Sequence, residues 1–143
     1  MIAIDRYLGK PFAWGGDGPE VYDCYGLVCA VLREQFGIDC PPMVGPRAPT
    51  RTQDFAAEVA AADCPWRPVL AEQIRPGDVL AFSVPAAGGD ELHVGIVVGP
   101  GTMLHTMAAA GVTLGRFDRP PLVLARVGPP YRHRDLVLQG AAP

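Results

Sequence analysis

The segment VYDCYGLVCAVLREQFG, residues 21–37, carries the strongest helical pattern in the chain. From Cys24 to Phe36 the apolar side chains recur at steps of three and four residues, which is typical of a helix that buries one face. Asp23 is a suitable N-cap, and Gly37 is a suitable residue to end the helix. The pattern therefore predicts a helix over residues 24–36 that begins with a cysteine.

A cysteine at the first position of a helix has a chemical consequence. The positive end of the helix dipole and the unpaired backbone amides stabilise a thiolate, which lowers the pKa of the thiol. The same amides are suited to hold the oxyanion of a tetrahedral intermediate, and Gly26 leaves one side of the first turn without a side chain. Two interpretations of Cys24 follow: it is a nucleophile, or it is a small buried hydrophobic residue.

A thiol nucleophile needs a base, and the chain has three histidines. His93 begins the apolar segment HVGIVVG, and His105 lies in MLHTM, which we predict to be the next strand after the turn GPGT. Adjacent strands would place both imidazoles side by side, one as the base and the other as the group that orients it. A structural role is the alternative for each. His133 lies among charged residues and is predicted to be a solvated surface residue.

The rest of the chain divides into helices first and strands later. Residues 2–8 are predicted to form a short helix, residues 38–51 an irregular crossing, and residues 52–63 a second helix capped by Thr52. Short segments rich in Val, Leu and Ile and divided by Gly or Pro predict strands, at residues 78–84, 92–98, 102–107, 111–117 and 122–127. This order predicts an α+β domain with an antiparallel sheet of about five strands.

Composition narrows the possible partners. The 143 residues fit one domain, and the net charge of −3 gives no indication of nucleic acid or an anionic membrane as the main partner. Asp5 and Arg6 interrupt the apolar stretch that a signal peptide would need, and no apolar segment is long enough to span a membrane. We therefore expect synthesis in the cytoplasm without ordinary secretion.

The other cysteines give no sign of a metal or a disulfide framework. Cys29, Cys40 and Cys64 form neither a CxxC pair nor zinc-finger spacing, and no close ligand pairs exist among the cysteines and histidines. We expect no metal and no organic cofactor. In a reducing compartment these thiols are expected to be free and to serve in packing.

Three ordered blocks resemble the NlpC/P60 cysteine peptidases of bacterial cell walls. They are GKPFAWGGDGPEVYDCYGLV at 9–28, RPGDVLAF at 75–82 and HVGIVVGPGTMLHT at 93–106. The resemblance implies a papain-like α+β fold with Cys24 as nucleophile, His93 as general base and His105 as the residue that orients the base. Asp23 matches the acidic residue that precedes the nucleophile in this family.

Two positions depart from the family pattern. Phe12 stands where the family usually has a tyrosine whose hydroxyl lies near the nucleophile, so Tyr22 or Tyr25 would have to replace that hydroxyl. Tyr25 also stands where the family has a small residue, which is expected to narrow the pocket. Together with Asp23 and Trp14, these tyrosines are the candidate contacts to substrate.

The resemblance implies a peptidoglycan endopeptidase that cleaves the stem peptide, most simply between D-glutamate and the diamino acid. The YDCYGLV variant and the expected lack of export resemble peptidases encoded with phage tails or gene transfer agents, so tail or hub proteins are candidate partners and the periplasm of a target cell the place of action. The alternatives are an inactive adaptor of a tail assembly and a related amidase or acyltransferase. Arg126, Arg132 or Arg134 could bind substrate carboxylates, and a solvated tail is the alternative.

Overall fold

A computed structural model describes residues 2–40 and 50–139. The helices are α1 (Cys24–Phe36), α2 (Phe55–Ala60) and α3 (Arg134–Gln139). The strands are β1 (Trp66–Pro68), β2 (Val79–Val84), β3 (Glu91–Gly99), β4 (Thr102–Met107), β5 (Gly111–Arg116) and β6 (Ala125–His133). The fold is therefore α+β, as the order of the predicted elements indicated.

The six strands form one antiparallel sheet in the order β1-β6-β2-β3-β4-β5. Strands β2 to β5 follow one another as a meander because short turns join them, and Gly101, at φ 64°, supplies the left-handed position in the turn between β3 and β4. Strand β6 pairs with the edge of β2 that does not contact β3, and β1 pairs with the other edge of β6.

Helix α1 packs on one face of the sheet against β3 and β4. Its apolar side chains, such as Leu27 and Val31, contact alternate residues of those strands, such as Val94, Ile96 and Leu104. A second cluster covers the opposite face of the same strands: Leu80, Phe82, Val97, Met103 and Leu124. Successive side chains of β3 therefore point alternately to the two faces of the sheet and into the two clusters.

The structure confirms the main helix and corrects several other predictions. Helix α1 has the predicted bounds, and four predicted strands match β2 to β5 within one or two residues. The predicted helix at residues 2–8 is a series of turns, and residues 41–49 of the predicted crossing lie outside the described part of the chain. Only Phe55–Ala60 is α-helical in the predicted second helix, because Thr52 bonds to Ser83 of the sheet and does not cap it.

The end of the chain differs most from the prediction. The strand predicted at residues 122–127 begins three residues later, at Ala125, and continues to His133, and the helix α3 that follows it was not predicted. Because β1 pairs with the end of β6, Trp66 lies beside His133 and buries it to 5% exposure. The prediction that His133 is a solvated surface residue is therefore wrong.

The prediction of free thiols is also wrong for two cysteines. Cys29 and Cys40 form a disulfide, with their Cα atoms 5.3 Å apart. Gly37, in a left-handed conformation at φ 66°, ends α1 and turns the chain back along it, which brings Cys40 beside the helix. Cys24 and Cys64 take part in no disulfide in the described part of the chain. Within the described residues, no helix combines the length and apolar character that crossing a membrane requires.

Candidate active site

Asp23 fixes the start of α1 to the preceding loop. One of its carboxylate oxygens accepts a hydrogen bond from the amide of Gly26 at 2.7 Å, and the other accepts one from the amide of Gly15 at 2.9 Å. The amide of Asp23 in turn donates to the carbonyl of Gly16 at 2.8 Å. The predicted cap is thus confirmed, and it holds the glycine pair of the loop against the helix that Cys24 begins.

Gly26 allows this close approach between the loop and the helix. A Cβ atom at position 26 would collide with the carbonyl oxygen of Gly16 and would also meet Asp17. The sequence predicted only that Gly26 keeps one side of the first turn free of a side chain. The structure shows what occupies that side, namely the backbone of the loop.

Cys24 lies at the edge of a cavity of about 400 Å³. The thiol residue is 8% exposed, so the cavity is its way to solvent. Alternate residues of the sheet form one wall: Val79, Ala81, Leu92 and Val94. Five aromatic residues form another part of the wall: Trp14, Tyr25, Phe55, Trp66 and Tyr131. Such a pocket suits an elongated, partly apolar ligand beside the thiol.

The two predicted histidines are in direct contact on the sheet. His93 Nε2 and His105 Nδ1 are 2.9 Å apart, and the rings meet edge to face at 76°. The register pairs Ile96 with Leu104, which makes His93 and His105 diagonal neighbours across β3 and β4. The prediction that adjacent strands bring the two imidazoles together is confirmed.

The histidine pair and the cavity beside Cys24 lie on opposite faces of the sheet. Leu92 and Val94 line the cavity, whereas His93, which lies between them, points to the other face. There His93 is paired with Phe82, with the ring centres 6.2 Å apart, and His105 lies near Met103 on the same face. The structure therefore brings the two imidazoles together but does not bring them to the cavity that Cys24 lines.

Burial keeps both imidazoles neutral. It lowers the pKa of His93 to about 3, and the neighbouring His105 lowers that pKa further. Burial also lowers the pKa of His105. In the tautomer that carries the His93 proton on Nε2, this nitrogen donates to His105 Nδ1, and Nδ1 is the basic nitrogen of His93.

The capped helix that begins at Cys24 and the antiparallel sheet agree with the fold that the sequence resemblance implied. The NlpC/P60 family model matches residues 9–123, which includes all of these elements. The chain belongs to the NlpC/P60 family.

Relatives of this family member are named as endopeptidases. It is 32% identical over 105 residues, 73% of its length, to a probable endopeptidase p60 of Listeria seeligeri, and 33% identical over 99 residues, 69% of its length, to a probable endopeptidase of Mycobacterium bovis. It is 28% identical over 120 residues, 82% of its length, to murein DD-endopeptidase MepS/murein LD-carboxypeptidase of Escherichia coli. The matches span 16%, 20% and 54% of these three proteins, respectively.

Solved NlpC/P60 structures share the fold. NlpC2 of Trichomonas vaginalis superposes with a TM-score of 0.62 at 20% identity, covering 92% of this chain and 44% of that protein. NlpC1 of the same organism gives a TM-score of 0.58 at 22% identity, covering 90% of this chain and 41% of the other. The α+β architecture of this family member is thus the family fold.

The candidate contacts to substrate separate into two groups. Trp14 and Tyr25 line the cavity beside Cys24 and stay candidates. Asp23 is fully buried, and its carboxylate bonds to backbone amides of the loop and helix. Tyr22 is 2% exposed and packs edge to face on Tyr7. Within the described chain neither Asp23 nor Tyr22 lines the cavity, so the structure assigns both to the support of the helix start.

Phe12, which stands where the family usually has a tyrosine, packs against a neighbouring aromatic ring. The Phe12 ring meets Trp14 edge to face, with the ring centres 4.9 Å apart. The Tyr22 hydroxyl lies against Gly18, where a Cβ atom would be 2.7 Å from it. Of the two tyrosines proposed to replace the missing hydroxyl, Tyr25 is therefore the one that lines the cavity.

Arginines near the C-terminus have different roles. Arg132 forms a two-point ion pair with the buried Asp78, at 2.7 and 2.8 Å, and joins β6 to the RPGD turn before β2. Arg126 lies over the Phe82 ring, 6.0 Å from its centre. Arg132 is therefore a structural residue, which is neither of the two predicted alternatives. Arg134 lines a second cavity.

Several residues between Thr50 and Trp66 form part of the cavity wall. They belong to residues 38–74, rich in proline and then alanine, for which the sequence favours a substrate-covering loop or a partner contact. Phe55, Glu58 and Val59 come from α2, and Cys64, Pro65 and Trp66 follow it. The hydrophobic periodicity of this segment is weak, and its contacts are to residues that are distant in sequence. The rings of Phe55 and Tyr131, for example, have their centres 5.7 Å apart. Across residues 2–40 and 50–139, no group of three potential ligands could hold a metal ion.

Proposed function

We propose that the chain is a cysteine endopeptidase that hydrolyses the stem peptide of peptidoglycan between D-glutamate and the diamino acid. The observation that carries the proposal is the capped start of α1, which places Cys24 in the wall of the cavity. The names of the relatives support hydrolysis of a cell-wall peptide bond. The particular bond is inferred from the family resemblance of the sequence.

The first half of the reaction forms a thioester. In the reaction that the family resemblance implies, the Cys24 thiol gives its proton to His93, and the sulfur attacks the carbonyl carbon of the scissile amide. Backbone amides at the start of α1 hold the oxyanion. The C–N bond then breaks, and the amine leaves with the proton that His93 carried.

The second half releases the acid and restores the thiol. His93 accepts a proton from water, and the resulting hydroxide attacks the thioester carbonyl at the same oxyanion site. The C–S bond breaks, and the proton on His93 returns to the sulfur. His105 accepts the hydrogen bond from His93 Nε2 throughout, which fixes the orientation of the ring.

The decisive experiment uses two cysteines of one cavity. Purified muropeptides are incubated with the wild type, Cys24→Ala and Cys64→Ala, and the products are weighed by mass spectrometry. We expect the wild type and Cys64→Ala to release alanyl-glutamate fragments and Cys24→Ala to release none, because both thiols line the cavity but only Cys24 begins the helix.

Other outcomes distinguish the alternatives. Cleavage at another amide would point to a related amidase, and transfer of the acyl group to an added amine would point to an acyltransferase. Absence of cleavage by the wild type, with slow alkylation of Cys24 near neutral pH, would contradict the endopeptidase and favour an inactive adaptor.

We also propose that the enzyme acts as part of a phage-like tail and reaches peptidoglycan in the periplasm of a target cell. The support is the resemblance of the YDCYGLV segment to tail-encoded peptidases. Mass spectrometry of particles purified from the producing cell tests this setting. The chain should co-purify with tail and hub proteins, and its absence from intact particles would contradict the proposal.

A further inference from the structure

A disulfide joins helix α1 to the segment that follows it. Cys29, in the second turn of α1, is bonded to Cys40, which lies shortly after the end of the helix. The two cysteines are 11 positions apart in the sequence, and their Cα atoms are 5.3 Å apart, within the range that a disulfide spans. The bond therefore ties the segment after α1 to the helix itself.

The same segment is held by contacts that do not depend on the disulfide. Gly37 ends α1 in a left-handed conformation and turns the chain back along the helix. The amide of Ile38 donates to the carbonyl of Leu32 at 3.0 Å, and the Ile38 side chain is buried. The guanidinium of Arg33 donates to the carbonyl of Cys40. These contacts keep Cys40 beside α1 when the bond is reduced, so the bond is able to form again.

The two bonded sulfur atoms differ in access. Cys29 is only 1% exposed. Cys40, in contrast, lines the second cavity, of about 220 Å³, together with Asp39 and Tyr25. Thiol–disulfide exchange depends on which sulfur an attacking thiolate reaches. A small thiol therefore reaches this disulfide through the second cavity and attacks the sulfur of Cys40.

We propose that Cys29 and Cys40 form a redox switch, which is reduced where the chain is made and oxidised where it acts. In the oxidation the Cys40 thiolate attacks the disulfide of an oxidant, which is a small molecule or a protein, and one thiol leaves. The Cys29 thiol loses its proton and attacks the Cys40 sulfur of the mixed disulfide, and the second thiol leaves. Two electrons pass to the oxidant. The inference rests on the proposed setting, because a chain that is made in the cytoplasm and acts in the periplasm passes from a reducing to an oxidising compartment.

Oxidation of the pair stabilises the domain and fixes part of the second cavity. A disulfide lowers the conformational entropy of the unfolded chain, so the oxidised form should have the higher melting temperature. The bond also fixes Asp39 and Cys40, which line the second cavity with Tyr25 from the first turn of α1. The reduced chain is therefore the less stable form, with a less rigid wall near the helix start.

The first test follows the thiols in the cell and after oxidation. Producing cells are quenched with acid, the thiols are blocked with N-ethylmaleimide, and the peptides are weighed by mass spectrometry. We expect Cys29 and Cys40 to be blocked in the cytoplasmic chain. After the purified chain is incubated with oxidised glutathione, we expect them to be joined and so protected. A bond that is already complete in the cytoplasm would overturn the switch, and so would two blocked thiols after oxidation.

The second test measures the effect on stability without using catalysis. In a Cys24→Ala background, the oxidised chain should melt about 8 °C above the chain reduced with dithiothreitol. Adding Cys29→Ala and Cys40→Ala together should remove the response to dithiothreitol. Cys64→Ala in the same background is the matched control and should keep the response, because Cys64 takes part in no disulfide within the described residues.

The two proposals fail separately in this design. Equal melting temperatures of the oxidised and reduced forms would overturn the redox switch and leave the endopeptidase proposal intact, because the Cys24→Ala background has no nucleophile. Absence of peptide cleavage by the wild type would contradict the endopeptidase, whereas the melting temperatures would still decide the switch.

Discussion

The helix start and the histidine pair are held in place by different means. At the helix start the contacts are local in sequence and made largely by backbone, since Asp23 bonds to Gly15, Gly16 and Gly26. The histidine pair depends on strand register and on two buried side chains twelve residues apart. The difference suggests that substitutions at the helix start act mainly on stability, whereas substitutions at the pair act mainly on rate.

The largest expected effect is on the histidine pair. His93→Ala should lower kcat/KM by about a thousandfold because it removes the proton acceptor. His105→Ala should lower kcat/KM by roughly thirtyfold because it removes only the group that orients His93. His105→Asn should recover part of that loss, since its amide oxygen can accept from His93 Nε2. Steady-state kinetics on a stem peptide measure all three, and equal losses for His93→Ala and His105→Ala would contradict separate roles.

The second expected effect concerns the two ends of α1. Gly26→Ala should lower the free energy of unfolding by about 3 kcal/mol, because its Cβ would collide with the carbonyl of Gly16. Gly37→Ala is the matched control: no atom lies within 4 Å of its Cβ, and the cost of its left-handed φ of 66° should be about 1 kcal/mol. Urea denaturation measures both, and equal losses would show that the loop contact does not support the helix start.

The third effect is the response of the sheet region to acid. Because the pKa of His93 is lowered from 6.5 to about 3, the unfolded chain binds a proton in this interval that the folded chain does not. Stability should therefore fall as the pH drops below about 6.5, with a slope of about 1.4 kcal/mol per pH unit for each such histidine. His93→Gln should reduce the slope by about one proton in urea denaturation between pH 7 and 4. An unchanged slope would contradict a buried neutral His93.

The smallest expected effect tests the orientation of the pair without changing either histidine. A Cβ at Gly115 would be 2.9 Å from His105 Nε2, so Gly115→Ala should displace that ring. We expect kcat to fall about fivefold with little change in KM, because a small misplacement of a catalytic geometry slows the chemical step. Leu114→Ala, on the exposed neighbouring residue, is the control. A similar loss in both variants would indicate a general weakening of β5.

The same contrast explains which parts of the site could be predicted. The start of α1 at Cys24, its cap Asp23 and its end at Gly37 were predicted correctly, because capping and helical periodicity act over a few residues. The contact of His93 with His105 was predictable because one short turn joins β3 to β4 and sets their register. The family resemblance then gave these residues chemical roles that their spacing alone left open.

The wrong predictions concern residues whose environment is formed by distant segments. His133 follows charged residues and looks solvated in sequence, yet β1 covers it from more than sixty positions away. Cys29 and Cys40 have no recognisable spacing, and their disulfide depends on how the chain turns after α1. Thr52 is a suitable cap by residue type, but the sheet provides Ser83 as its partner instead.

The sequence by itself determined the helix that begins at Cys24, its cap and the histidine hairpin, because each depends on interactions between near neighbours in the chain. Only the tertiary structure decided the cavity walls from residues 50–66, the pairing of Arg132 with Asp78 and the burial of His133. Those features depend on which distant segments pack together. That packing is set by the burial of apolar surface over the whole domain, and no local pattern specifies it.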